Sequence, residues 1–304
     1  MMKKIIALIF AVSVIVACKG TPPPPPAENP NVGPELAVTI PELFSPDPDV
    51  ADDTMSIAIA VDHPVAIKDW RIEVNRRGAG AQAGAAARPA GEAGQREGRA
   101  QRQGGGQRSR VFFEQSGTGA PPATWQWNGK RTTGEMVQSA TDYLFTLTVN
   151  DVYGNNTAYE GTISTDVLVI RDGELLRIVV PSIVFPPSSS DFSLLSEDDM
   201  RGNARVLGLI ARALNRFDDY KVKVEGHANP TTAPGAARNT EEANELKPLS
   251  EARAKAVVDY LATNNSVDRT RLSSTGEGGT RTVADWNDTD ENWKNRRVEF
   301  ILQK

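Results

Sequence analysis

Between residues 35 and 170 the apolar side chains fall on every second position: Met55, Ile57, Ile59 and Val61; then Trp70, Ile72 and Val74; then Tyr143, Phe145, Leu147 and Val149. Alternate side chains of an extended chain point to opposite faces, so each run predicts a strand with one buried face. The turn signals Asn128-Gly129 and Tyr153-Gly154-Asn155 lie between these runs, spaced as in a sandwich of short antiparallel strands. Near Thr165 the period changes. Leu176 to Phe185 reads as a strand, and Leu207, Ile210, Leu214 and Phe217 recur at helical spacing. Lys221 to Glu225 is a strand with Val222 and Val224 inward, and Ala254, Val257, Val258 and Leu261 mark a second amphipathic helix. Arg271 to Thr275 and the run Val298, Phe300, Leu302 supply two more strands. The order β-α-β-α-β-β over residues 174–304 predicts an α/β sandwich.

Two stretches break these patterns. Residues 78–110 hold nine Gly, nine Ala and six Arg (Arg88, Arg96, Arg99, Arg102, Arg108, Arg110) against Glu92 and Glu97 alone. Such a composition cannot bury a core, and it predicts a basic loop inserted into the β domain. At the other break, Lys3 and Lys4 precede thirteen residues, Ile5 to Ala17, in which Ser13 is the one polar side chain. That is the form of a secretory signal of residues 1–17, too short to span a bilayer comfortably. The run ends Ile15-Val16-Ala17-Cys18, which resembles a bacterial lipobox, and the resemblance implies cleavage before Cys18 and acylation of that residue, palmitate included. Several acyl chains on one residue give stable anchoring where one chain does not. The residue after it, Lys19, is by the same resemblance a signal for the outer membrane. Pro22 to Pro26 then make residues 18–34 a lipidated, proline-rich linker inclined to extended polyproline II.

Composition narrows the function classes. A chain of 304 residues with 39% hydrophobic and 24% charged residues suits about two packed domains. Its net charge of −5 becomes more negative once Lys3 and Lys4 leave with the signal, which argues against nucleic acid as a partner. The single cysteine excludes an internal disulfide, and the two histidines, His63 and His227, fall in different domains. No metal site or cofactor is expected from that inventory, and no catalytic constellation stands out; the protein reads as a non-enzyme. A hydrolase of the cell wall would need paired carboxylates in a cleft or a metal triad. His63, before Pro64 in a turn, reads as structurally neutral, and the Trp125 and Trp127 pair as core.

Three motifs follow in order on the C-terminal frame. Gly226-His227-Ala228-Asn229-Pro230 comes directly after a strand, Leu249-Ser250-Glu251-Ala252-Arg253-Ala254 opens a helix, and Asn295-Arg296-Arg297-Val298-Glu299-Phe300 enters the last strand. Together they resemble the OmpA-like family, a peptidoglycan-binding module also found in peptidoglycan-associated lipoproteins. The segment from Trp125-Gln126-Trp127-Asn128-Gly129 to Asp151-Val152-Tyr153-Gly154-Asn155 is similar to FlgD-type bacterial immunoglobulin-like modules, so residues 35–170 are expected to form an immunoglobulin-like β-sandwich.

The OmpA-like resemblance implies that Arg253 grips the carboxylate of the diamino acid in a peptidoglycan stem peptide. A helix N-terminus capped by Ser250 would favour an anion at that place, and a guanidinium binds a carboxylate bidentately where an ammonium cannot. Asn229 stands where the family pattern has an Asp that takes the ammonium of the same diamino acid, and an amide accepts that ammonium more weakly. The connection from Asn229 to Leu249 is also longer than the family pattern, and Leu246 takes the place of a frequent Asn. Ala228, Ser188 and Arg296 complete the expected binding set. Gly226 and His227 are expected to shape the loop, and Asn295 and Arg296 to brace the last strand. The chain is therefore expected to tether the outer membrane to the wall, facing the periplasm. An alternative is an envelope adaptor whose β domain or basic insert recruits a protein partner.

Overall fold

The computed structural model describes residues 28–46, 53–76 and 111–304. The signal, Cys18, the proline row and the insert 78–110 lie outside the described residues.

Seven strands form the first unit: β1 (Glu35–Thr39), β2 (Met55–Asp62), β3 (Ile67–Arg76), β4 (Val111–Thr118), β5 (Thr124–Trp127), β6 (Asp142–Asp151) and β7 (Asn156–Ser164). They make two antiparallel sheets, ordered β1-β2-β5 and β4-β3-β6-β7. The alternation read from the sequence is the alternation of burial: in β2, Met55, Ile57 and Ile59 are buried and the residues between them exposed. Both sheets feed one core, in which Ile57, Ile72, Tyr143, Phe145, Leu147 and Ile163 are fully enclosed. Trp125 and Trp127 belong to it, their rings stacked 6.1 Å apart at 18°, so this pair is packing and offers no open face. Strands β3 and β4 pair as a hairpin with Asn75 opposite Val111, so the insert leaves and rejoins the sheet at that end.

His63 has a structural partner that its sequence context did not suggest. Its Nε2 lies 3.0 Å from the Oδ2 of Asp151, which is fully buried at the β6–β7 turn. Burial opposes the charge on Asp151, but bonds from His63, the Asn155 side chain and the backbone N–H groups of Asn155 and Tyr153 outweigh it and hold the carboxyl at about 2.

The second unit comprises β8 (Ile170–Asp172), β9 (Leu175–Val180), α1 (Glu197–Arg216), β10 (Lys221–His227), α2 (Ala236–Glu241), α3 (Lys247–Asn264), β11 (Leu272–Gly278) and β12 (Val298–Gln303). Its sheet runs β11-β10-β12-β9-β8, with β10 and β11 parallel and the other neighbours antiparallel. Ile178, Val180, Val224, Phe300 and Leu302 on the sheet share a core with Leu207, Ile210 and Leu214 of α1 and Val257 and Leu261 of α3. Three acidic residues, Glu197, Asp198 and Asp199, sit in the first turn of α1, where the helix dipole favours them, behind the N-cap Ser196.

Two boundaries differ from expectation. The strand predicted to reach Phe185 ends at Val180, because Pro181 has no N–H to continue the ladder, and residues 181–185 become a wall of the cleft described below. The second helix does not open at Ser250. A π-helical turn, Glu242–Leu246, joins α2 to α3 without a break, so the helical path runs from Ala236 to Asn264. Pro248 lacks an N–H and its ring crowds the carbonyl four residues back, and the wide turn just upstream accommodates that crowding.

Candidate functional site

The OmpA-like motifs converge on a cleft of about 160 Å³ at one end of the second sheet. Its walls come from residues 181–185, from Gly226 and His227 at the end of β10, from Arg253 on α3, and from Trp293, Arg296 and Arg297 before β12. Arg76, the last residue of β3 in the first domain, lines it as well. Of the expected binding set, the structure thus gathers Arg253 and Arg296 with the loop residues Gly226 and His227. Asn229, Ala228 and Ser188 are not among the walls.

Close packing puts α3 beside β10. A Cβ at Gly226 would stand 2.1 Å from the Ser250 carbonyl oxygen, and one at Gly276 would stand 2.5 Å from the Glu251 nitrogen. Only glycine lets the helix approach both strands. Ser250 is buried within the helix; its hydroxyl donates to the Lys247 carbonyl and accepts from the Gly278 N–H. It is therefore a bolt between α3 and β11 and no N-cap. Arg253 lies nearly five turns inside the helical path that starts at Ala236, beyond reach of free backbone N–H groups, so the expected help from the helix terminus is absent.

The Arg253 guanidinium is aimed by carbonyls instead. Its Nε donates to the Ser189 carbonyl and its Nη2 to the Pro186 carbonyl, both at 3.1 Å, and it lies 5.0 Å from the centre of the Phe185 ring. Two N–H groups hold the fork in place and three remain for a ligand. Ser188 shapes this acceptor loop through its left-handed backbone (φ 50°), with its neighbour Ser189 making the contact. Burial and then the charge of Arg296 pull the Arg253 pKa down, as expected for a cation with no counter-ion beside it.

His227 is buried, its backbone N–H donates to the Arg297 carbonyl, and neither ring nitrogen has a hydrogen-bond partner. Burial, followed by the nearby Arg297, pulls its pKa down to about 3, so the ring is neutral near pH 7. Its Nε2 lies 3.8 Å from Glu225 and 3.7 Å from Glu299, and the three residues offer ligand atoms within 4.8 Å of one another. The two carboxylates are taken by cations, Glu225 by Lys223 (2.6 Å) and Arg281 (3.2 Å), Glu299 by Arg297 (2.6 Å). The cluster is thereby closed on itself, with a neutral histidine between paired charges.

Asn229 belongs to a clamp. Its Oδ1 accepts from Asn295 Nδ2 at 2.8 Å, and its Nδ2 donates to the Trp286 carbonyl at 3.1 Å and the Pro230 carbonyl at 2.9 Å. Asn295, fully buried, accepts through Oδ1 from the N–H groups of Val283 and Ala284. It therefore braces the 283–286 loop, where the sequence suggested bracing of the last strand. Glu241, which sequence reasoning missed, organises the long connection after β10. It accepts from the N–H and hydroxyl of both Thr231 and Thr232, and although burial opposes its charge these bonds bring its pKa down to about 2. Partners nine and ten residues upstream in a loop leave no periodic signal.

An α/β sandwich with an arginine-walled cleft at the ends of its strands is the class that fold and site define. Residues 185–297 match the OmpA family, and this C-terminal domain is OmpA-like. Among solved structures, a MotB-like protein of Desulfovibrio vulgaris shares 22% identity over 45% of this chain and 78% of its own, with a TM-score of 0.36. The cell wall anchor of the T6SS from Pseudomonas aeruginosa shares 24% over 45% and 87%, with a TM-score of 0.34. The OmpA-like domain of FopA1 from Francisella tularensis shares 18% over 44% and 77%, with a TM-score of 0.32. No curated protein matches the chain.

Proposed function

We propose that the chain is a non-enzymatic outer-membrane lipoprotein that binds peptidoglycan in the Arg253 cleft and tethers membrane to wall. The observation that carries this reading is the Arg253 fork, pinned by two backbone carbonyls and left with N–H groups over the cleft and no carboxylate partner among the described residues. A charged, bidentate pair of this kind contributes roughly 1.5–3 kcal/mol per hydrogen bond. The match to the OmpA family supports a stem peptide as the ligand. The lipobox at Cys18 and the export signal supply the membrane end, and the β domain, of the FlgD-type immunoglobulin-like kind, stands between the two attachments.

Arg253→Ala is expected to remove most of the protein from the pellet when it is spun with isolated sacculi, while the domain stays folded at a modest cost in thermal stability from the lost bonds to the Ser189 and Pro186 carbonyls. Undiminished co-sedimentation of that variant would rule out the cleft as the wall site.

A further inference from the structure

Four arginines line the cleft, Arg76, Arg253, Arg296 and Arg297, and one of them, Arg76, comes from the other domain. Arg76 ends β3, crosses the boundary and lies over the Trp293 ring, 3.4 Å from its centre. Its Nε is buried and has no hydrogen-bond partner. Burial pulls its pKa down first; Tyr143 and Glu291 act against that, and the charge of Arg296 acts with it, as it does at Arg253. No carboxylate lines the cleft, and among the described residues none pairs with Arg76, Arg253 or Arg296. Several other described arginines are matched, Arg131 with Glu135 and Glu291 and Arg205 with Asp142, and on the cleft wall itself Arg297 is taken by Glu299.

Unpaired like charges gathered in a partly dry cleft repel one another, and a bound anion removes that cost. One carboxylate neutralises one of them. The group that could favour a ligand ammonium is also turned away, since Asn229 is engaged with Asn295 and Trp286 outside the cleft walls.

We infer that Arg76 of the β domain is a ligand-binding residue of the wall site, and that the site selects a stem peptide presenting two carboxylates, one on Arg253 and one on Arg76. The inference rests on the wall-binding reading and narrows its ligand class. The N-terminal domain then takes part in recognition, with the Arg76 guanidinium held against the face of Trp293.

The test is calorimetric titration of the full chain in detergent with two stem tripeptides, both alanyl-γ-glutamyl-diaminopimelate with the chain-terminal carboxyl of the diaminopimelate capped as an amide so that its side-chain carboxylate alone remains, one with the glutamyl α-carboxylate free and the other with that group as carboxamide. The unaltered protein is expected to bind the free acid at least about tenfold more tightly, in line with one charged hydrogen-bonded pair. Arg76→Gln is expected to bind both peptides alike, at the affinity of the amide. Arg76→Lys, which keeps charge and stem if the glutamine variant fails to fold, is expected to retain part of the preference. Equal binding of the two peptides by the unaltered protein, or a full preference surviving in Arg76→Gln, overturns the inference and leaves wall binding standing. Binding of neither peptide, together with no pelleting on sacculi, overturns the wall reading itself and the inference with it.

Discussion

At the scale of single residues, His227 shows how a motif can be conspicuous in sequence and inert in chemistry. Its ring sits between two carboxylates that other side chains already neutralise, and burial keeps it unprotonated. The unfolded chain takes a proton there near pH 6.5, the folded chain near 3, so the unfolded state binds more protons throughout that window. The sign follows: this group leaves stability intact above about pH 6.5 and erodes it as the pH falls toward 3, by at most about 1.4 kcal/mol per pH unit. Urea titrations at pH 7, 6, 5 and 4 are expected to show that decline, and His227→Gln to flatten it. An unchanged slope in the variant would assign the acid sensitivity elsewhere.

At the scale of elements, legibility tracked the length over which a pattern repeats. Strands β2, β3 and β6 of the β domain and β9, β10 and β12 of the second sheet were readable from alternation because each buries one face, and α1 from its 3.6-residue period, whereas β1, β4, β5, β7 and β8 went unread. The helical path from Ala236 was not readable either. Its first eleven residues, Ala236 to Leu246, are mostly polar and include a π turn, so no apolar stripe announces them, while Ser250 ahead of Arg253 imitates a cap. Arg253 and the Gly226-His227 turn were found from sequence because their motif order implies their place; Arg76 was not, since 177 positions separate it from Arg253 and no local pattern points across a domain boundary. The clamp between the loop after β10 and the 283–286 loop explains why an amide stands at 229. Asn229→Asp would set a carboxylate against the Trp286 carbonyl and remove a donor from it, so it is expected to destabilise the domain by about 1–3 kcal/mol in chemical denaturation. A variant as stable as the parent would show that the loop re-forms around the charge.

At the scale of the whole molecule, the two units are joined by specific contacts. Arg205 of α1 donates to Asp142 of β6 at 2.8 Å, Arg131 pairs with Glu291, Lys294 with Glu135, and Ala140 and Val167 pack into the core of the second unit. Asp142 also accepts from Ser164, which fixes its carboxylate for the arginine. A double-mutant cycle on Asp142→Ala and Arg205→Ala is expected to give a coupling of about 0.5–3 kcal/mol. Additive single effects would mean that the domains meet without communicating through this pair.

The order of strands in the second sheet has a consequence for how the protein is made. β12 is the latest of its strands in the chain, yet it lies between β10 and β9 and pairs with both. Until residue 303 has been synthesised, those two earlier strands face a gap, their backbone edges unpaired and their apolar sides open. The sheet can therefore be completed only once the last of its strands is available. For the exported lipoprotein proposed above, that order would keep the chain threadable through a membrane pore: the cleft, the helices over it and the seam with the β domain have no complete platform to settle on before β12 arrives.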